Sequence, residues 1–224
     1  MRAQPFLQWL SMNYNPAVAQ AVAGAPQFRG GWEGWLQVEI ARTFLAQGGS
    51  AVCEREMPYP DGNGAYVSYA PATGQAAPGA AGNGAARCDF YLQRNAGILD
   101  QTYLELKCSN SLAPQPATDA WARFDNDITK ITAVAGVNNL LNCIALLGVW
   151  GIIDPNNNAN QGGPNGHPLN WYWQGGRSAY IWDTSLVPNP QNPAAVVTTL
   201  QAAQQGVQNV LQNNRLLIIA VSPP

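Results

Sequence analysis

The amino-acid sequence predicts an α/β protein with a mixed central sheet flanked by helices. Helix-period and strand-period stretches are interleaved along the chain, which favours layered α/β packing over separate helical and sheet regions. Two alternating segments, 87–92 and 102–108, are separated by the turn residues Arg94-Asn95-Ala96-Gly97 and read as an antiparallel pair. The strongly apolar runs 139–150 and 215–221 read as strands buried within the sheet.

Residues 3–23 carry a helical pattern broken into two pieces at Asn15-Pro16, and Phe6, Leu7 and Leu10 give the first piece an apolar side. A connector spans 24–31. Residues 32–46 then form a helix, because Trp32, Trp35, Leu36, Ile40 and Phe44 recur at helical spacing and Gly48-Gly49 stops it. Residues 50–57 read as a strand that Pro58 and Pro60 terminate. The Gly, Ala, Pro and Asn run at 58–85 reads as a flexible loop flanking the substrate or as a plain surface insertion, with at most a short strand at 66–69. After the central pair comes a proline-containing loop at 109–118. A helix follows at 119–137, capped by Thr118 or Asp119, with Trp121, Phe124, Ile128, Ile131 and Ala135 on its inner side. Asp125, Asp127 and Lys130 also lie on that helix. A loop at 154–168 holds His167, the only histidine, and precedes Trp171, Tyr172 and Trp173. A strand at 179–186, a helix at 193–212 with Pro193 in its first turn, and the strand at 215–221 complete the order.

The central pair carries the chemistry. Alternation places Tyr103, Glu105 and Lys107 on one face of the second strand, and Asp89 reaches the same place from the first. Two carboxylates side by side repel one another unless a cation lies between them. Mg²⁺ is the expected cation, with Mn²⁺ as a substitute, because it takes hard oxygen ligands and retains waters. Asp89, Glu105 and the Leu106 carbonyl are the expected metal ligands, and Lys107 is placed to hold or polarise an attacking water. This is the donor set of a phosphodiester hydrolase. Glu39, on the helix before the first strand, is positioned to point over the sheet toward the metal. Lys130, Arg87 and Trp171 are the candidate substrate contacts, Trp171 by stacking on bases or sugars. The bland alternative is a Glu-x-Lys on a solvated strand face. Against it stands the scarcity of charge, since only 24 of 224 residues are Lys, Arg, Asp or Glu.

Composition narrows the classes. A formal net charge of −2 leaves no basic tail, so nucleic-acid contacts must come from a local patch, neutral amides and metal. Cys53, Cys88, Cys108 and Cys143 fit neither a zinc ribbon nor a C-x-x-C redox site and read as buried thiols, with a Cys88–Cys108 bridge left open. No apolar window reaches membrane-spanning length and none resembles a signal peptide, so membrane insertion is not expected and the cytoplasm is the expected location. Signal-free secretion as an effector is the alternative. One histidine excludes two-histidine ribonuclease chemistry, and neither a P-loop nor a nucleophile elbow is present.

The order of helix with Glu39, strand, Asp89 strand, Glu105-Leu106-Lys107 strand, helix and strand resembles the restriction-endonuclease-like nucleases of the PD-(D/E)xK superfamily. The resemblance implies a core over about 31–150 of a single 1–224 domain, with an N-terminal helical segment at 1–30 and an extension at 151–224. It implies that Asp89 and Glu105 bind Mg²⁺, that Lys107 assists the water, and that Glu39 completes the site. Cys88 stands where the family motif has proline, and Asp100 is a rival to Asp89. The implied activity is endonucleolytic cleavage of DNA, with RNA as the other substrate, in restriction, repair or as a bacterial toxin. A toxin would have an inhibitor or immunity protein as partner. The competing reading is a non-enzymatic protein-binding module on a nuclease-like fold. A carbohydrate-binding role, suggested by 8 Trp and 8 Tyr, ranks third.

Overall fold

The structure is a computed structural model and describes residues 2–25, 32–80, 84–94, 101–110, 117–153, 167–186, 188–189, 191–205, 211 and 215–224. Helices α1 (Ala3–Asn13), α2 (Ala17–Gly24) and α3 (Trp32–Leu45) lead into β1 (Val52–Arg55). A hairpin of β2 (Tyr66–Ala70) and β3 (Gln75–Ala80) follows. Then come β4 (Phe90–Gln93), β5 (Thr102–Asn110), α4 (Ala117–Val137) and β6 (Asn142–Gly151). Turns of 3-10 helix at Leu169–Gly176 precede β7 (Ser178–Asp183). The chain ends with β8 (Val197–Thr199), α5 (Leu200–Gln205) and β9 (Arg215–Ser222).

Seven strands form one mixed sheet in the order β1-β4-β5-β6-β9-β7-β8. Among the described strands only β5 and β6 run parallel, and α4 supplies the long crossover that a parallel pair requires. All other neighbours are antiparallel. The sheet is covered on both faces, which explains the unbroken apolar runs of β6 and β9. Leu146 and Ile218 pack under α1–α3, while Leu147 and Ile219 pack on the α4 side.

The α3 stripe is the expected one. Trp32, Leu36, Ile40 and Phe44, four apart, are all buried, and each contributes about 1.5–3 kcal/mol on full burial. The helix stops at Gly48 and Gly49, whose φ values of +72° and +73° suit glycine. Trp32 lies so close to β6 that a Cβ on Gly148 would meet its ring at 2.6 Å.

Three stretches depart from the sequence expectation. The run 58–85 contains a paired β2–β3 hairpin packed against α4. Ala, Pro and Gly have little strand propensity of their own. The hairpin is set by tertiary anchors, the buried Tyr59 and Val67, and by a turn in which Asp61 accepts from the Asn63 and Ala65 N–H groups. Among the described residues, the expected helix at 193–212 is a 3-10 turn, β8 and the six residues of α5. The β-branched Val197-Thr198-Thr199 pairs with β7 instead. Residues 206–210 and 212–214 lie outside the described residues. Finally, Asp89 precedes β4 and does not lie within it. All four cysteines are free thiols, and Cys88 and Cys108 belong to cores on opposite faces of the sheet, so no bridge joins them. Among the described residues no helix is long and apolar enough to cross a membrane.

Candidate active site

The site is a notch in the sheet. Pairing between β4 and β5 runs from Leu92↔Thr102 to Phe90↔Leu104 and stops there, while β5 continues to Asn110 against β6. Among the described residues, the edge of β5 that faced β4 therefore has no strand partner beyond Leu104, and its backbone groups need other partners. Carboxylates supply them. Asp89 Oδ2 accepts the Leu106 N–H at 2.7 Å, and Glu33 Oε2 from α3 accepts the Cys108 N–H at 3.2 Å. The Leu106 carbonyl accepts from the Lys107 ammonium at 2.9 Å.

Five ionisable side chains meet on the α4 side of this edge. Lys107 Nζ lies 3.0 Å from Asp89 Oδ2 and 3.0 Å from Asp127 Oδ2. Lys130 Nζ lies 2.5 Å from Glu105 Oε1 and 3.9 Å from Asp127 Oδ1, and donates to the Arg87 carbonyl at 3.2 Å. Tyr59 donates its hydroxyl to Glu105 Oε1 at 2.6 Å. Asp127 and Lys130 are three apart on α4, so one turn of helix presents both to the sheet.

Burial dominates the electrostatics. Glu105 is 2% exposed, and burial pushes its carboxyl up to about 7; Lys130 opposes the shift, while Asp127 and Asp89 add to it. Burial likewise raises Asp127 against the pull of Lys107 and Lys130. For Lys107 burial acts against the charged form, but Asp127 and Asp89 outweigh it and hold the ammonium above its usual range. Lys130 is raised in the same way by Glu105 and Asp127. Burial drives the Tyr59 phenol well above its ordinary value, with Glu105 adding to the shift, so it acts as a hydrogen-bond donor.

The structure brings together Asp89, Glu105, Leu106, Lys107 and Lys130. It does not bring in Glu39, which pairs with Arg42 one turn on at 2.8 Å. Glu33, six residues earlier on the same helix, is the glutamate that reaches β5, and it also meets Arg123 of α4 at 3.6 Å. The Arg87 backbone carbonyl belongs to the cluster, but its guanidinium turns away to the Glu56 carbonyl at 2.6 Å. Trp171 is held elsewhere, stacked 4.1 Å from His167 and 4.4 Å from the Arg177 guanidinium. Asp100 lies outside the described residues. The participants missed from sequence are Tyr59, Asp127 and Glu33. Asp127 had a signal, because it falls at i+3 from Phe124 and i−4 from Ile131, on the buried stripe of α4.

The oxygen donors suit a hard divalent cation: Asp89, Glu105 and the Leu106 carbonyl lie on one side of one sheet edge. Among the described residues no three His, Cys, Asp or Glu side chains converge on one point, because the two ammonium groups stand between the carboxylates. A cavity of about 590 Å³ between the α1–α2 turn and the end of β7, and a groove of about 790 Å³ over the outer side of α3, contain none of these five groups. No protein-family model, curated protein or solved structure matches the chain.

Proposed function

We propose that this protein is a divalent-metal-dependent nuclease that hydrolyses phosphodiester bonds in DNA, on a restriction-endonuclease-like core. The observation that carries the reading is the notch itself. Asp89 and the Glu105-Leu106-Lys107 segment meet where β4 leaves β5, inside the order α3-β1-β4-β5-α4-β6. Apart from the β2–β3 hairpin between β1 and β4, that order is the one on which the PD-(D/E)xK resemblance rests, and it supports the reading.

Asp89, Glu105 and the Leu106 carbonyl would hold Mg²⁺ or Mn²⁺, which supplies Lewis-acid polarisation of the scissile phosphate. The remaining work falls to the chain. Lys107, kept charged by Asp127 and Asp89, is a donor and not a proton acceptor. Its role is to orient the attacking water and to offset charge on the phosphoryl oxygens. Tyr59 and Lys130 fix the Glu105 carboxylate against the sheet. Arg123, 45% exposed beside Glu33, provides positive charge near this sheet edge in a chain of net charge −2.

The test incubates linear and circular DNA with purified protein and Mg²⁺, with EDTA and Lys107→Ala as controls. Cutting lost in both controls is the expected result. Full-rate cutting by Lys107→Ala removes the assigned role of that lysine. Intact DNA and RNA under all conditions, with no metal uptake, favours the second reading, a protein-binding module. One observation supports that alternative: the lysines already provide cationic partners for Asp89, Glu105 and Asp127.

A further inference from the structure

Each ammonium in the notch is ringed by hard oxygens. Lys107 Nζ has the Leu106 carbonyl at 2.9 Å, Asp89 Oδ2 at 3.0 Å and Asp127 Oδ2 at 3.0 Å. Lys130 Nζ has Glu105 Oε1 at 2.5 Å, the Arg87 carbonyl at 3.2 Å and Asp127 Oδ1 at 3.9 Å. Asp127 is the residue common to both rings, with one oxygen turned to each. It is 9% exposed, and among the described residues its Oδ2 faces only the Lys107 ammonium, at 3.0 Å. Glu105 Oε1, by contrast, is already engaged by Tyr59 and Lys130.

We propose that Asp127 is a further carboxylate ligand of the divalent cation, which binds by displacing the Lys107 ammonium from the oxygens of Asp89, Asp127 and Leu106. This rests on the metal-dependent reading above and extends it to a residue of α4 outside the Asp…Glu-x-Lys pattern. The Lys107 ammonium marks the cation position, since it is held by three oxygens of the kind Mg²⁺ prefers. Charge balance agrees. The three carboxylates Asp89, Glu105 and Asp127 face two ammonium groups, leaving one negative charge in excess. A doubly charged ion in place of one ammonium cancels it. Lys107, once displaced, stays within a side chain's length of the metal, where it meets water and phosphate.

The test is Mn²⁺ binding by calorimetry to the full chain, with circular dichroism as the check on folding. Asp127→Asn, nearly isosteric, weakens Mn²⁺ binding by more than about tenfold, the scale of loss seen on altering groups around a metal. Lys107→Met removes the competing ammonium and tightens Mn²⁺ binding severalfold. If Asp127→Asn binds like the unaltered protein, Asp127 is only a structural ion-pair partner and the proposal is overturned. Weaker Mn²⁺ binding by Lys107→Met overturns it as well, and that variant decides the matter should Asp127→Asn fail to fold. DNA cleavage measured on the same preparations separates the two levels. The expected affinity pattern without cleavage refutes the nuclease reading and leaves the cation site standing; no Mn²⁺ binding by the unaltered protein overturns the cation site.

Discussion

Replacing Lys130 by Met tests whether the buried Glu105 carboxylate depends on its cation. The methionine keeps most of the aliphatic stem and deletes the ammonium that lies 2.5 Å from Glu105 Oε1. Removing one partner of a buried pair costs about 3–5 kcal/mol when the other charge has no escape. Glu105 has one: it can take up a proton. Its folded value is already raised to about 7, against an ordinary value of 4.5. In the variant the folded value rises further. In that state the native protein keeps a proton that the unfolded chain has released, so stability falls as pH rises. In the unaltered protein this fall ends near pH 7, whereas in the variant it continues. The difference between the two therefore opens only above pH 7, by about 1.4 kcal/mol per pH unit at most. Below pH 7 the loss is about 1 kcal/mol, from the hydrogen bonds the ammonium made. At pH 9 it reaches about 4 kcal/mol, within the range for a stranded buried charge. Guanidinium unfolding at pH 6, 7, 8 and 9 measures it, with Glu105→Gln/Lys130→Met as the double variant. A loss that is flat across pH, or that persists undiminished in the double variant, refutes the reasoning.

Two further outcomes concern other parts of the fold. Gly148→Ala drives a methyl group to 2.6 Å from the Trp32 ring and 3.2 Å from Cys108 Sγ, and destabilises by about 1–3 kcal/mol in thermal or chemical unfolding. Asp125 is 5% exposed, accepts from the Tyr172 hydroxyl and the His167 N–H, and is pushed by burial up to about 7. Its charge therefore lowers stability as pH climbs from about 3.8 to 7, and Asp125→Asn stabilises by the order of 2 kcal/mol at pH 8 while changing little at pH 4. Unfolding curves for this variant that differ from the unaltered protein equally at both pH values would count against burial as the cause.

Legibility followed the strength of the local signal. Helix α3 was plain because four large apolar residues share one stripe and two glycines with positive φ end it. Strands β6 and β9 were plain because a strand covered on both faces needs apolar residues throughout. The β2–β3 hairpin was not, because Gln75-Ala76-Ala77-Pro78-Gly79-Ala80 has no strand pattern and is held by its partner strand and by α4. Strand β8 was lost because three β-branched residues inside a longer helix-compatible run read as part of it. At the site, Glu105 and Lys107 were legible through alternation on β5, and Asp89 through its place beside the neighbouring strand. Glu33 and Glu39 both lie on α3, and periodicity alone does not say which of them faces β5. That choice follows from where β4 stops pairing, which is set by register and not by composition.

The cluster is poorly explained by stability alone. Asp89, Glu105, Lys107, Asp127 and Lys130 are five of only 24 charged residues in the chain, and all five lie at one buried notch. Exchanging a buried ion-pair network for well-packed apolar residues is often neutral or stabilising, and apolar side chains already fill the rest of the α4–sheet interface with Trp121, Phe124, Ile128 and Ile131. A hydrophobic Asp127, on that same stripe, would extend the core by one more contact. The chain instead carries a desolvated carboxylate there, together with a second one raised to about 7 and two lysines held charged beside them. Groups shifted by burial and paired at a break in a sheet are what charge-handling chemistry requires of a site. The same arrangement sets mobile groups against fixed ones: each ammonium is on a flexible stem, while the oxygens that hold it lie on α4, on β5 and in the segment that enters β4.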